Sequence, residues 1–178
     1  MVRALILCGS ANREGVTRSM CQIAYEHLAD CGYDVTMKVV SDLRIDHCRD
    51  CGSCERGSCT IRDDMQQIYD AFSDSDLLIL ASPIHFSGPS SLIKTVMDRF
   101  QPYWFDKSKG HPRYCAGMLC GGSSRPNFEI TEKIFRAFSL TTGMRYLDTL
   151  TISDTDSGVS DLDEEVATFV ERIIGCTE

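Results

Sequence analysis

Residues 76–94 read DLLILASPIHFSGPSSLIK. Leu77 to Ala81 form an unbroken apolar run, which suits a strand buried on both faces of a parallel sheet better than a half-exposed one. Pro83 stiffens the exit from that strand. Pro89 then suits the first turn of an amphipathic helix on which Leu92, Ile93, Val96, Met97 and Phe100 share a face. Buried strand, tight loop and helix in that order make the building unit of an α/β fold. Between them, the backbone N–H groups from His85 to Gly88 are expected to lie outside any ladder. Such an edge offers donors and acceptors in one plane to a flat heteroaromatic ring. His85 reads either as an ordinary surface histidine or as a protonatable group beside such a ring.

The same unit recurs on either side. VRALILC (2–8) is a first buried strand, and TRSMCQIAYEHLAD (17–30) a helix with Met20, Ile23, Ala24 and Leu28 on one face and Gly32 as its stop. YDVTMKVV is a second strand. DDMQQIYDAFSD (63–74) is a helix whose first turn carries Asp63 and Asp64 at its positive end. Residues 89–104 read as one helix. YCAGMLCGG and RYLDTLTIS are further strands, and NFEITEKIFRAFSLTTG and LDEEVATFVERII the helices after them. Five strand–helix units without a repeat or a linker predict one domain, 1–178, with a parallel sheet covered on both faces and a Cys-rich insertion at 41–61. Ligands of such sheets bind at the carboxyl ends of the strands. The loops to watch are therefore 9–16, 41–61, 83–88, 121–127 and 153–160.

Composition narrows the function. The 178-residue chain is 43% hydrophobic, enough for a proper core, and carries a net charge of −8, which disfavours a broad nucleic-acid contact. No 18-residue apolar run predicts a membrane span, and MVRALILCGS reads as a strand rather than a signal segment. Six of the ten cysteines (Cys8, Cys21, Cys31, Cys115, Cys120, Cys176) lie singly among apolar residues. They read as small buried hydrophobes in a reducing cytoplasm.

GSANREGVT (9–17) joins a strand to a helix. Backbone N–H groups there, with the hydroxyls of Ser10 and Thr17, suit a phosphate. The spacing is neither G-x-G-x-x-G nor G-x-x-x-x-G-K-[ST], so a Rossmann dinucleotide site and a P-loop are both disfavoured. In CGGSSRPN (120–127), Gly121 and Gly122 allow a ligand close to the backbone. The acidic run DTDSGVSDLDEE (154–165) lacks the EF-hand pattern and is explained by acids at a helix N-terminus.

CRDCGSCERGSC (48–59) has the spacing C-x2-C-x2-C-x4-C. Three readings compete. Cys48, Cys51, Cys54 and Cys59 suit a single [4Fe–4S] cluster, with Gly52 and Gly57 curling the loop. Zinc is the second reading, with His47 in place of one thiol, although structural zinc sites prefer two well-separated C-x2-C pairs. The third is unmetallated thiols, with or without a disulfide.

The first loop, the cysteine stretch leading into CTIRDDM and the segment SPIHFSGPSSLIKTVMDRF together resemble the NADPH-dependent FMN reductase family, nearest to its iron–sulfur flavoprotein branch. The likeness runs in order over residues 1 to 125. It implies a flavodoxin-like three-layer sandwich with a five-stranded parallel sheet of order 2-1-3-4-5. It implies FMN, its phosphate cradled by Ser10, Asn12, Arg13, Gly15, Val16 and Thr17. Pro83, Ile84, His85, Phe86, Ser87 and Gly88 would line one side of the isoalloxazine, and Gly121, Gly122 and Ser123 another. The branch carries a compact four-Cys motif after its second strand, which implies a cluster on Cys48, Cys51, Cys54 and Cys59, at the ligand edge of the sheet. The resemblance further implies NAD(P)H as reductant and a homodimer or homotetramer. Two departures stand out. The family often reads G-S-P-R where this chain reads GSAN, so Asn12 replaces the Arg and Arg13 lies one position on. His85 stands where relatives commonly have Tyr. The expected activity is an FMN-dependent oxidoreductase passing electrons to a protein partner or a small-molecule acceptor. The alternatives are an NAD(P)H-dependent FMN or quinone reductase without a cluster, and an electron carrier with no substrate of its own.

Overall fold

Alternation along the central strands builds the layers. In the computed structural model, which describes residues 1–177, five strands run parallel: β1 (Arg3–Cys8), β2 (Asp34–Val39), β3 (Leu77–His85), β5 (Tyr114–Cys120) and β6 (Arg145–Ile152). Their order is β2-β1-β3-β5-β6. Counted as parallel strands alone, this is the expected 2-1-3-4-5 arrangement. The remaining strand, β4 (Gly88–Pro89), is a two-residue arm that folds back antiparallel on the end of β3. It is too short to leave a periodic signal.

β1, β3 and β5 are buried on both faces. Ala4, Ile6 and Cys8 join Leu77, Ile79 and Ala81 in one core, with Met20, Ala24 and Leu28 of α1 (Val16–Asp30) and Phe169 and Ile173 of α6 (Leu162–Gly175). Leu5, Leu7, Leu78 and Leu80 face the second core. It holds Ile68 and Phe72 of α2 (Met65–Ser73), Ile93 and Val96 of α3 (Ser91–Asp98), Tyr103 of α4 (Gln101–Phe105) and Phe135 of α5 (Glu129–Thr141). The edge strands β2 and β6 are only half-buried, as one-sided neighbours require.

Two local expectations change. The single helix over 89–104 is two helices. Pro102 has no N–H to donate to the Asp98 carbonyl four residues back, and its ring crowds that carbonyl, so the chain breaks between Asp98 and Gln101 and Pro102 opens the second helix. Nor is Pro89 in the first turn of α3. Ser90 caps the helix, its hydroxyl accepting from the Ile93 N–H at 3.4 Å, while Pro89 belongs to β4. Of the six scattered cysteines, Cys8, Cys21, Cys115 and Cys120 are buried as expected. Cys31 and Cys176 are exposed, because each caps a helix end outside the core. Among the described residues no helix is long and apolar enough to cross a membrane.

Candidate functional site

Three strand-end loops meet in a cleft of about 590 Å³ at the carboxyl edge of the sheet, within the size range of small-molecule sites. The first loop is shaped by close approach. Gly9 extends β1 by one bond, its N–H reaching the Ala81 carbonyl at 2.8 Å. A Cβ on Gly9 would drive into the Ile93 side chain and come within 2.9 Å of that carbonyl. Ser10 Oγ accepts from the Asn12 N–H at 3.2 Å, and Asn12 Oδ1 accepts from the Glu14 N–H at 3.1 Å. These turns deliver the chain to α1, whose N-cap, Gly15, offers no side-chain cap. The N–H donors of Val16 and Thr17 are thus left for an anion, while the Arg18 N–H donates to the Gly15 carbonyl at 2.9 Å.

Ser10, Asn12, Gly15, Val16 and Thr17 line the cleft as expected. Arg13 does not. It is exposed on the outer side of the loop, and no Lys or Arg lines the cleft. The Thr17 hydroxyl is occupied by the Cys120 thiol, 3.1 Å away. Beneath the loop the Cys8 thiol is pushed down to about 7, chiefly by a hydrogen bond with the buried Cys21.

From the second loop, Pro83, Ile84 and His85 line the cleft, but Phe86, Ser87 and Gly88 do not. The expectation that N–H groups from His85 to Gly88 lie off any ladder is corrected. Ile84 pairs with Pro89 and His85 with Gly88. Phe86 (φ 51°) and Ser87 (φ 65°) occupy the left-handed region of a two-residue hairpin turn. That turn carries the Phe86 ring fully into solvent. Behind it, Ser90, Ser91 and Leu92 at the start of α3 complete this wall. Ser90 is buried and donates to the Gly9 carbonyl at 2.6 Å, tying the first loop to the second.

Gly121 and Gly122 line the third wall, while Ser123 is exposed outside it. The 153–160 loop zips onto them: the N–H groups of Asp154, Thr155 and Asp156 donate to the carbonyls of Ser123, Gly121 and Gly122 at 2.8, 3.2 and 3.3 Å. Thr155 and Asp156 thereby enter the cleft. A Cβ on Gly122 would lie 2.5 Å from an Asp156 carboxylate oxygen. Loop position alone pointed to this segment. Nothing local in DTDSG singled out Asp156, nor did SGPSS single out Ser90.

The cysteine loop is a separate construction. Its neck is closed where Arg44 and Asp64 exchange hydrogen bonds of 2.8 and 3.0 Å and the Asp46 N–H meets the Asp63 carboxylate at 2.8 Å. Gly52 (φ 69°) and Gly57 (φ 103°) bracket a 3₁₀ turn, Ser53–Arg56, that carries Cys54. Burial raises the Cys54 thiol pKa, and the Cys59, Cys48 and Cys51 sulfurs raise it further. All four are free. Among the described residues, no three His, Cys, Asp or Glu side chains are drawn tight enough to hold a metal ion. His47 is exposed. The donor set thus has the chemistry of a thiolate site without a preassembled geometry.

This loop does not stay on the ligand edge. It leaves that edge near Ser10, where the Ser41 hydroxyl donates to the Ser10 carbonyl at 3.4 Å. It then packs its 3₁₀ turn on α4. Cys59 lies on the same side as Arg99, at the far end of α3 from the cleft, a helix that rises about 12 Å. There it borders a second cavity of about 670 Å³ that shares no residue with the cleft. Arg99 is 1% exposed. Its Nη1 donates to Asp63 at 2.6 Å and to the Asp46 carbonyl at 2.7 Å, and its Nη2 donates to Asp63 at 3.1 Å. Burial alone would raise the Asp63 carboxyl, but the Arg99 hydrogen bond and three further favourable contacts hold it below its ordinary range.

Known proteins share this architecture. An NAD(P)H:quinone oxidoreductase from Methanothermobacter marburgensis superposes with a TM-score of 0.75 at 15% identity, over 96% of each chain. An iron–sulfur flavoprotein of Archaeoglobus fulgidus is 33% identical over 103 residues, 57% of this chain and 47% of that protein. One of Methanocaldococcus jannaschii is 31% identical over 102 residues, 57% of this chain and 53% of that one. The chain thus spans about half the length of the curated relatives it matches. The profile of NADPH-dependent FMN reductases matches residues 2–156, from the first strand through the loop that brings Asp156 to the cleft, and the chain belongs to that family.

Proposed function

We propose that the carboxyl-edge cleft binds FMN and that the chain is an FMN-dependent oxidoreductase of the iron–sulfur flavoprotein type. One observation carries the reading: a cleft of about 590 Å³ walled by strand-end loops, with an uncapped helix N-terminus on one side and Pro83–His85 and Gly121–Gly122 on the others. Because no cationic side chain lines the cleft, the phosphate would be held by the N–H groups of Val16 and Thr17 and the Ser10 hydroxyl, with Asn12 fixing the loop. Pro83, Ile84 and His85 would flank the ring on one side, with Gly121 and Gly122 on another. Asp156 presents a carboxylate that accepts hydrogen bonds from a ring N–H. Bound FMN supplies hydride and single-electron chemistry; the protein supplies position, exclusion of water and local charge. NAD(P)H is the proposed reductant, and a redox partner protein or a small-molecule acceptor the electron sink, with the protein working in the cytoplasm as a homodimer or homotetramer.

Cys48, Cys51, Cys54 and Cys59 would hold a [4Fe–4S] cluster, exchanging single electrons at the flank of the molecule rather than at the cleft mouth. The C-x2-C-x2-C-x4-C spacing and the relatives named iron–sulfur flavoproteins support this. A reductase without a cluster is the second reading, favoured by thiols that are not drawn to metal-binding distance. Titration of the protein with FMN, followed by flavin fluorescence, tests the cleft. Saturable binding that Gly122→Val weakens is expected; identical binding by that variant would place the flavin elsewhere. Steady-state oxidation of NADH and NADPH tests the reductase activity. A flavin that neither nucleotide bleaches removes NAD(P)H as reductant.

A further inference from the structure

The cavity of about 670 Å³ beside the cysteine loop is larger than the cleft, and nothing proposed above fills it. Its volume lies within the range of small-molecule sites. Its walls come from the loop at 57–63, from α2, from Arg99 at the end of α3, from the start of α4 and from the turn at 109–110. Ile61, Pro102 and two tyrosine rings supply apolar surface. The Tyr69 and Tyr103 rings have centroids 6.1 Å apart and are inclined at 32°, nearer to parallel than to edge-on. Phe100, 5.4 Å from Tyr69, and Phe72, 5.2 Å from Tyr103, brace them edgewise. The two rings are therefore held in place before any ligand arrives, which suits a flat aromatic body.

The polar groups on these walls are unevenly employed. The Tyr69 hydroxyl donates to the Arg99 carbonyl. The Tyr103 side chain is only 6% exposed, yet its hydroxyl has no hydrogen-bond partner among the described residues. Among those residues, Arg99 Nε is the one side-chain nitrogen or oxygen both sealed from solvent and unpaired. The Tyr103 hydroxyl is therefore not sealed, and it opens into the cavity that its residue lines. Burial and the Asp70 carboxylate push its pKa up to about 12, so it remains a donor at neutral pH. Of the five charged side chains on the walls, Arg99 and Asp63 cancel in a buried pair at 2.6 Å. Arg62 and Lys109 then face a single carboxylate, Asp70, which already accepts from Gln66 Nε2 at 2.8 Å. Arg62 is exposed and enters no ion pair among the described residues, and the Asp106 carboxylate stands 3.8 Å from Lys109. In a chain of net charge −8, this is a local excess of positive charge, which draws anions.

We propose that this cavity is a second small-molecule site, which takes a flat aromatic molecule bearing one acidic group. The ring lies against Tyr69 and Tyr103, the anion is held toward Arg62 and Lys109, and the Tyr103 hydroxyl supplies a neutral donor. Apolar walls with a few convergent polar groups are the usual make-up of such sites. The site shares no residue with the cleft, and binding there requires neither FMN nor a metal at the cysteines.

The test is a calorimetric titration with 2-naphthoate as the probe, on protein saturated with FMN so that the probe cannot enter the cleft. 2-Naphthamide, a ring without the charge, and acetate, a charge without the ring, are titrated alongside. Saturable binding of one naphthoate per chain is expected, with both comparison compounds weaker by roughly tenfold or more. Tyr103→Phe, which keeps the ring and removes a hydroxyl without a partner, is expected to weaken naphthoate by roughly tenfold while the melting temperature stays unchanged. The exposed double variant Arg62→Glu/Lys109→Glu is expected to weaken it by a similar factor with FMN content unaltered. Naphthoate binding that both variants leave intact would put the probe elsewhere and overturn the site. Equal binding of 2-naphthamide would overturn the acidic group, and a titration without saturable heat would overturn the proposal outright. A chain that takes up no FMN is titrated without it. The variants still locate the probe, so failure of the FMN reading and failure of this site are told apart.

Discussion

Gly122 and Asp63 carry the sharpest consequences of single side chains. With an Asp156 oxygen 2.5 Å from where a Cβ would stand, Gly122→Ala has to turn the Asp156 carboxylate out of its place in the cleft. FMN affinity is expected to fall at least tenfold while the far-ultraviolet circular dichroism stays unchanged. Asp63→Asn removes the counter-charge of a guanidinium that is 1% exposed. A broken buried pair of this kind costs about 3–5 kcal/mol, read as the shift in a urea or guanidinium unfolding midpoint. The pH dependence has a definite sign. The folded Asp63 carboxyl lies below its ordinary 3.8, so the unfolded chain binds its proton first as acid is added. Its contribution is complete above about pH 5 and fades as pH falls below 4 toward the folded value. Wild type and Asp63→Asn should therefore converge in stability on acidification. A gap that stays constant to pH 3 would contradict the ion pair. His85, standing at the cleft wall, is expected to set the potential of a bound flavin. Potentiometry of His85→Phe checks this, and an unmoved midpoint would count against it.

Elements show where sequence periodicity runs out. The five parallel strands and the helices between them were legible because each carries a continuous apolar run or a 3.6-residue stripe over many residues. Short devices were not. β4 has two residues, and the α3–α4 break turns on one proline whose effect competes with an unbroken apolar stripe. The cap of α3 fell to Ser90 rather than Pro89, since a hydroxyl bonds both to the Ile93 N–H and to Gly9 of another loop. Ser90→Ala should cost about 2 kcal/mol, from a lost cap and an orphaned buried carbonyl, measurable as a lower denaturation midpoint. The hairpin tip makes the opposite prediction. Phe86 and Ser87 hold left-handed backbone without glycine, at a cost of about 1–2 kcal/mol per residue. Ser87→Gly should stabilise the fold by about 1 kcal/mol, because Thr131 bonds only the backbone carbonyl there.

At the scale of the molecule, sequence order located the cleft well and the thiols poorly. Strand-end loops of a parallel sheet converge by topology, so Ser10, Pro83 and Gly121 could be brought together from order alone. Ser90, Thr155 and Asp156 could not, since hydrogen bonds between loops place them. The cysteine loop follows β2 in sequence, which suggested the ligand edge. Its route down α3 to Arg99 is fixed by a buried ion pair between residues 36 positions apart, and no local pattern reports that. The chain therefore carries two separate candidate sites: the cleft at the carboxyl edge, proposed for FMN, and the four-cysteine loop on the flank, which borders a cavity sharing no residue with it. The direct test is a visible spectrum of protein prepared without oxygen, with iron, sulfide and FMN assayed on the same sample. Flavin bands over a broad iron–sulfur absorption are expected, with one FMN and one four-iron cluster per chain, and loss of the iron alone in Cys59→Ser. A flavin spectrum free of iron would contradict the second centre, and a sample unable to take up FMN would contradict the first.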